Sequence, residues 1–167
     1  TDIDRVIPIT YMNSSAALKA FVGRNGGAVC TSTNARAVLD WALGEGPRAG
    51  LASAGATGGG DKVLFFPDQH LGRNTAMGMG IPLTQMPVWD PHAEQLGGNS
   101  TEAIFKSKVI LWKGHCSVHQ MFRPEHVSLL REKHPGIKIL VHPECMQEVN
   151  DIADISGSTS KIMKTVE

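Results

Sequence analysis

The sequence predicts an α/β protein with short parallel sheets. Short apolar runs rich in β-branched residues alternate with segments whose apolar side chains recur at helical spacing, which is the pattern of βα units. Polar residues follow several of these runs directly, at the carboxyl ends of the predicted strands. The order of elements in the first part of the chain also recurs near its end, so we expect the same unit twice.

Residues 6–11 form an apolar run that is predicted to be the first strand. Ser14 or Ser15 is predicted to cap the helix that follows, and a pair of glycines ends that helix. A second short strand is predicted at residues 28–30. The hydroxyl-rich turn 31–34 then leads into a second amphipathic helix.

The middle of the chain contains one further strand between two irregular segments. Residues 44–61 are rich in glycine and predict a flexible surface loop, and residues 62–66 predict a strand. After that strand, Asp68 is interpreted as a helix cap and His70 as a solvated histidine. Residues 81–107 are rich in proline, glycine and polar residues, and we predict a flexible surface insertion there, to which the sequence assigns no function.

The last part of the chain returns to regular alternation. Residues 109–112 predict a strand covered on both faces, and residues 124–134 predict a helix with an acid in its first turn and bases in its last. Residues 137–141 predict another strand. A helix, the hydroxyl-rich turn 155–160 and a final helix complete the prediction.

The two halves repeat one another as strand, polar triplet, helix, hydroxyl turn and helix. The triplets and turns are Tyr11-Met12-Asn13 with Thr31-Ser32-Thr33, and His142-Pro143-Glu144 with Gly157-Ser158-Thr159. We therefore expect two αβα lobes, over residues 1–113 and 114–167, that share one site between their strand ends.

The stretch Lys113–His119 carries the most reactive groups of the chain. It follows the strand 109–112 directly and opens with Gly114. At such a strand end, Cys116 could be a metal or cluster ligand, and His119 could reach the same space as a donor or acid. A buried cysteine beside two surface histidines is an equally simple interpretation of these seven residues.

Taken together, the motifs resemble the quinolinate synthase A family. They occur in the family's order across nearly the whole chain, and the segments 44–61 and 81–107 match poorly. The motifs are Tyr11-Met12-Asn13-Ser14-Ser15, Cys30-Thr31-Ser32-Thr33-Asn34-Ala35, Pro67-Asp68-Gln69-His70-Leu71-Gly72-Arg73, Gly114-His115-Cys116-Ser117-Val118-His119, His142-Pro143-Glu144 and Gly157-Ser158-Thr159-Ser160.

This resemblance implies an enzyme of NAD biosynthesis in the cytoplasm. The family condenses iminoaspartate with dihydroxyacetone phosphate to give quinolinate, using a 4Fe-4S cluster that three cysteines hold. Its fold has three similar three-layer αβα lobes, of which this chain resembles the middle one and most of the next. The resemblance also implies an aspartate oxidase or dehydrogenase upstream that supplies iminoaspartate.

The resemblance assigns roles to particular residues. Cys116 matches a cluster ligand, whereas Cys30 and Cys145 match no ligand position. The other matching positions are catalytic or contact substrate. The catalytic ones are Tyr11, His119 and Glu144; those that contact substrate are Tyr11, Asn13, Ser32, His142, Glu144, Ser158 and Thr159. With one cluster ligand in these residues, we expect the chain alone to be inactive.

Two alternatives remain open at the level of sequence. Cys116, His119, His142 and Cys145 could form a zinc site, although their spacing differs from that of compact zinc modules. The hydroxyl turns could instead belong to a module that binds sugar phosphates or dicarboxylates without catalysis. Taken alone, Glu144 could also be a first-turn acid that the helix dipole favours.

Overall fold

The computed structural model describes residues 5–44 and 58–167 and shows an α/β protein with two parallel sheets. The strands are β1 (Val6–Tyr11), β2 (Ala28–Cys30), β3 (Lys62–Phe66), β4 (Val88–Trp89), β5 (Val109–Trp112), β6 (Leu140–Val141) and β7 (Ile155–Ser156). The helices are α1 (Ala16–Arg24), α2 (Ala35–Ala42), α3 (Gln69–Gly78), α4 (Thr101–Lys106), α5 (Pro124–Lys133), α6 (Gln147–Ile152) and α7 (Thr159–Val166). The α/β class predicted from the sequence is therefore confirmed.

The larger sheet has five parallel strands in the order β2-β1-β3-β5-β4. The chain moves to one side of β1 to form β2 and then to the other side to form β3. In open parallel sheets, ligands bind in the crevice outside the carboxyl ends of the strands where the order reverses in this way. Tyr11, the last residue of β1, lies at this position.

Apolar side chains of the central strands and of α2 form the main core. Ile9, Val63, Phe65 and Leu111 are fully buried, as expected for strands covered by helices. Gly72 lets α3 approach the sheet closely, since a Cβ on it would lie 2.7 Å from side-chain atoms of both Phe65 and Leu111.

The smaller sheet pairs β6 with β7, with Leu140 opposite Ile155 and Val141 opposite Ser156. A second core of four buried residues supports it: Val127, Ile139, Cys145 and Val149. Asn74 of α3 joins this unit to the larger sheet, because its side-chain amide donates to the carbonyls of Pro143 and Cys145, at 2.8 Å each.

Several predicted segments differ in detail. The strand predicted at 137–141 is regular only at Leu140–Val141, and Ile155–Ser156 is a strand that the sequence analysis assigned to a turn. Residues 81–107 are more than a surface insertion, since they supply the edge strand β4 and helix α4. Of the predicted loop 44–61, residues 45–57 lie outside the described residues.

Candidate active site

Glu144 is the residue on which the predicted site groups converge. It follows β6 in the turn that leads to α6, and only 6% of its surface is exposed. The hydroxyl of Tyr11 donates to its Oε2 at 3.4 Å, and His142 Nδ1 lies 3.3 Å from the same oxygen. His119 Nδ1 is 3.7 Å from that oxygen. One buried carboxylate thus faces a phenol and two imidazoles from three segments of the chain.

This environment changes the acidity of Glu144. Burial raises the pKa of its carboxyl from 4.5 to about 7, and the negative charge of Asp68 acts in the same direction. The hydrogen bond from Tyr11 opposes this increase in the pKa. A carboxyl with a pKa near neutrality can both take up and release a proton at physiological pH, as a general acid or base must.

The two imidazoles are uncharged partners of this carboxylate. Their rings stack with centroids 4.9 Å apart and planes inclined by 20°. Burial lowers the pKa of His142 to about 4, with a contribution from His119, and burial also lowers the pKa of His119. Their contacts with Glu144 are therefore not ion pairs at neutral pH. His119 Nδ1 is buried and has no hydrogen-bond partner among the described residues, because 3.7 Å is too long for a hydrogen bond.

Tyr11 is a neutral hydrogen-bond donor in this site. Burial raises the pKa of its phenol to about 12, and the negative charge of Glu144 contributes to the increase. A hydrogen bond with the side chain of Ser32 lowers the same pKa. Tyr11 therefore keeps its proton at neutral pH and also connects Glu144 with the hydroxyl turn after β2.

Cys116 lies in the turn after β5 and completes a possible metal-binding group. Potential ligand atoms of Cys116, His119 and Glu144 all lie within 4.8 Å of one another. Gly114 permits this turn, because a Cβ there would lie 2.2 Å from the carbonyl oxygen of Pro67. A cavity of about 380 Å³ opens beside the cysteine. Its lining includes Tyr11, Asn13, Asp68, Cys116 and Glu144.

The hydroxyl residues lie around a second cavity, of about 850 Å³, between the two sheets. Ser32 and Ser158 line it together with the basic side chains of Arg36 and Lys161. Ser158 also caps α7 by accepting from the Lys161 amide at 3.4 Å. Thr159, the first residue of α7, is exposed. The predicted residues thus fall into two groups. The acid–base group is Tyr11, His119, His142 and Glu144, and the hydroxyl group is Ser32, Ser158 and Thr159. The hydrogen bond between Tyr11 and Ser32 connects them.

The other cysteines are placed differently from Cys116. Cys30 and Cys145 are buried, with exposures of 0% and 2%, and all three thiols are free. In the predicted zinc site, Cys145 accompanied Cys116, His119 and His142. Among the described residues, Glu144 rather than Cys145 completes the group around Cys116 and His119.

Two residues near the site have roles that the sequence analysis missed. Asp68 caps α3 as predicted, accepting from the Leu71 amide at 2.7 Å, but its second oxygen accepts from the amide of Cys116 at 2.9 Å. The prediction of a solvated His70 is wrong, because only 8% of its surface is exposed. The position of these residues in the sequence could have indicated that they lie near the site, because both follow the carboxyl end of β3.

Fold and site together define an open parallel α/β protein with acid–base residues, and a Cys/His/Glu group that could hold a metal ion, at the carboxyl ends of its strands. None of the described helices has the length and apolar character needed to cross a bilayer. Comparison with known proteins identifies the family, because the chain matches the Quinolinate synthetase A protein family over residues 1–167. The chain belongs to this family.

Individual relatives agree with this assignment. The chain is 63% identical to a quinolinate synthase of Rhodopirellula baltica over 99% of its own length and 39% of the relative's. It is 53% identical to a quinolinate synthase of Bacillus velezensis, over 97% of the chain and 40% of that protein. One from Corynebacterium glutamicum is 51% identical over 98% and 38% of the respective lengths. The chain therefore spans about two fifths of the relatives that it matches.

Proposed function

We propose that these residues form part of a quinolinate synthase, which condenses iminoaspartate with dihydroxyacetone phosphate and removes water to give quinolinate. The observation that carries this proposal is the convergence of Tyr11, His119 and His142 on the buried carboxylate of Glu144, beside the thiol of Cys116. Condensation and dehydration need repeated proton transfers, and this group offers both a donor and an acceptor near neutral pH. The relatives are named for the same activity.

Glu144 is the proposed proton-transfer group, because its raised pKa lets it alternate between acid and base. Tyr11 keeps its proton, and by exchanging its bond to Glu144 for one to substrate it can donate a hydrogen bond to an oxyanion or imine in the adjacent cavity. Asn13 lines the same cavity and can add a second polar contact. His142 Nδ1 accepts from the backbone amide of Glu144 at 3.3 Å and so helps to position that residue. The unpartnered Nδ1 of His119 remains available to a substrate or metal.

The cofactor proposed for this site is a 4Fe-4S cluster with Cys116 as one of its ligands. The residues fit this role, because the thiol of Cys116 borders a cavity and the buried Nδ1 of His119 lacks a partner close to it. When bound, a cluster with an open iron supplies a Lewis acid that eases loss of water. Cys30 and Cys145 are buried in the two cores and are not proposed as ligands.

Ser32, Ser158 and Thr159 are the proposed contacts for phosphate and carboxylate groups. Ser158 and Thr159 lie at the amino end of α7, where free amides and the helix dipole favour anions. Ser32 faces the same cavity, and Arg36 and Lys161 add positive charge to it. We propose that substrate extends from this cavity past Ser32 and Tyr11 to Glu144.

The setting of the enzyme follows from its proposed substrates. Iminoaspartate would come from an aspartate oxidase or dehydrogenase acting upstream. Three free thiols suit the reducing cytoplasm. The division into lobes at 1–113 and 114–167 is part of the same proposal, because it puts Tyr11 and Glu144 on different lobes that share one site.

The test is serine substitution of each cysteine in a full-length synthase that carries these 167 residues, prepared without oxygen. Cys116→Ser should lose bound iron, whereas Cys30→Ser and Cys145→Ser should keep it. Glu144→Gln should keep iron and lose quinolinate formation by about two to four orders of magnitude, the usual contribution of general acid–base catalysis. Iron retained in Cys116→Ser, or bound zinc without iron in the parent, would overturn the cluster assignment.

A further inference from the structure

We propose that the first turn of α3, formed by Asp68, Gln69 and His70, positions the loop that carries Cys116 and His119. This turn is not part of the acid–base group. It follows the central strand β3, whereas the loop follows the neighbouring strand β5. The inference rests on the proposed function only where it concerns iron.

Three hydrogen bonds connect this turn with the loop 114–120. The amide of Gln69 donates to the carbonyl of Gly114 at 2.9 Å. The amide of Cys116 donates to Asp68 Oδ2, also at 2.9 Å. His70 Nε2 lies 2.7 Å from the side-chain amide of Gln120. The contacts fall at the beginning, the middle and the end of the loop.

Apart from the ring of His119, which stacks on His142, the loop has few other supports. Its remaining hydrogen bonds within the described part of the chain are local, such as that from the Gln120 amide to the Cys116 carbonyl at 3.1 Å. Ser117 and Val118, between the cysteine and the histidine, are exposed. Within the described part of the chain, residues 114–120 also bond to β5, the strand that they follow. All of their other hydrogen bonds to helices or strand ends reach the first turn of α3.

The turn itself is rigid enough to act as a support. Asp68 is 3% exposed, and its two oxygens have separate partners, the amides of Leu71 and Cys116. His70 is also buried, and Arg73 donates to its Nδ1 at 3.2 Å. The neutral ring then carries its proton on Nε2 and donates it to the side-chain amide of Gln120, which must present its oxygen to the ring. Buried and fully hydrogen-bonded side chains of this kind hold one arrangement, because leaving a buried partner unsatisfied is costly.

Hydrogen exchange in Asp68→Ser separates this positioning role from simple capping. Serine still reaches the Leu71 amide and caps α3, but it is too short to accept from Cys116 as well. In the 167-residue chain prepared without metal, exchange in residues 114–120 should rise on the order of tenfold, the effect of losing one hydrogen bond to a charged group. Exchange in α3 should stay as in the parent.

Two further variants make the result interpretable. Gln120→Ala removes the third contact from a less buried position and should also speed exchange in residues 114–120. Ser100→Ala removes the cap of α4, whose hydroxyl accepts from the Ala103 amide at 3.1 Å, and should leave the loop unchanged. Unchanged exchange at 114–120 in both Asp68→Ser and Gln120→Ala would overturn the inference, and so would faster exchange confined to α3.

Iron content in the full-length synthase links the two proposals. If Cys116 holds iron, Asp68→Ser should lower the iron content while Ser100→Ala keeps it. If Cys116→Ser itself keeps iron, the cluster assignment fails, but the exchange experiment still decides whether α3 positions the loop. Iron content equal to the parent in Asp68→Ser, together with loss in Cys116→Ser, would contradict the positioning role.

Discussion

At the scale of single residues, the chemistry of this site comes from what surrounds Glu144. A glutamate in the first turn before a helix is ordinarily an ionised surface group. Here burial and the nearby charge of Asp68 raise its pKa to about 7, while two neutral imidazoles and a phenol occupy the space that water would take. Burial therefore converts a common residue into one that exchanges protons at neutral pH.

Ionising a buried carboxyl costs stability. Glu144→Gln should therefore reveal a pH-dependent difference in the free energy of unfolding. Between the ordinary pKa of 4.5 and the raised value of about 7, the folded protein keeps a proton that the unfolded chain has lost. The contribution of Glu144 to stability is therefore greatest below the ordinary pKa of 4.5 and is lost as the pH rises through the raised pKa of about 7. Relative to that of the parent, the free energy of unfolding of the variant should rise by roughly 2 to 3 kcal/mol as the pH increases from about 5 to about 8.

Thermal or urea unfolding of the metal-free protein across that range measures the difference. Glu132→Gln makes the same chemical change on an exposed position of α5 and sets the baseline. A parent-to-variant difference that stays constant with pH would show that Glu144 is ionised normally in the folded protein.

Sequence reasoning located the strand ends that meet here, because strand ends are visible in the sequence, and the family resemblance singled out Tyr11, His119 and Glu144 among them. Tyr11, Cys116 and Glu144 each follow an apolar run, and parallel strands bring their carboxyl ends to one edge. It missed the burial of His70, because nothing local shows that Arg73 and Gln120 enclose that ring. It also could not show that Glu144 rather than Cys145 faces Cys116. The two residues are neighbours in one turn, and the sequence does not reveal which of two adjacent side chains points toward the cysteine.

At the scale of elements, α3 connects every part of the site. Its first turn holds the Cys116 loop, its middle packs on the sheet through Gly72, and Asn74 holds the turn before α6. The sequence predicted the longer strands of the large sheet correctly from their apolar runs. Two-residue strands such as β4 and β7 are too short to show an alternating pattern, so the sequence could not distinguish them from turns.

Gly72→Ala should move α3 away from the sheet. The added methyl group would lie 2.7 Å from side-chain atoms of Phe65 and Leu111, and overpacking of this kind costs about 1 to 3 kcal/mol. Gly78→Ala is the matched control in the same helix, because nothing lies within 4 Å of a Cβ there. Helix propensity should make that control neutral or up to about 1 kcal/mol more stable. Equal unfolding free energies for the two variants would contradict the close approach of α3.

Asn74→Ala should loosen the connection between the two sheets. Its side chain donates to two backbone carbonyls in the turn that carries Glu144, and losing these bonds should cost about 1 to 3 kcal/mol. Asn25→Ala removes an exposed asparagine that donates to the Phe21 carbonyl at 2.8 Å, and should cost roughly 0.5 kcal/mol or less. Urea unfolding compares the two. A loss for Asn74→Ala no greater than that for Asn25→Ala would exclude this role.

At the scale of the whole molecule, the site is assembled between two sheets rather than within one. Tyr11 belongs to the large sheet and Glu144 follows the small one, so their hydrogen bond joins residues 133 positions apart in the sequence. The repeated order of elements led us to expect one site shared between two lobes, and the division into lobes at 1–113 and 114–167 stays a prediction. It could not predict that the hydroxyl residues would line a separate cavity, because that depends on how the two sheets are placed.

From the placement of the three cysteines we predict that the 167-residue chain alone holds no stoichiometric 4Fe-4S cluster. Iron–sulfur clusters need several thiolate ligands, and only Cys116 lines the cavity beside Glu144. Burial raises the pKa of Cys30 to about 12 and also raises that of Cys145, so these thiols keep their protons and lie in the cores. Anaerobic reconstitution with iron and sulfide should leave iron far below four per chain and produce no quinolinate, while a full-length synthase treated identically takes up its cluster. A full complement of iron in the chain, retained after gel filtration, would show that Cys30 or Cys145 can leave its core and bind.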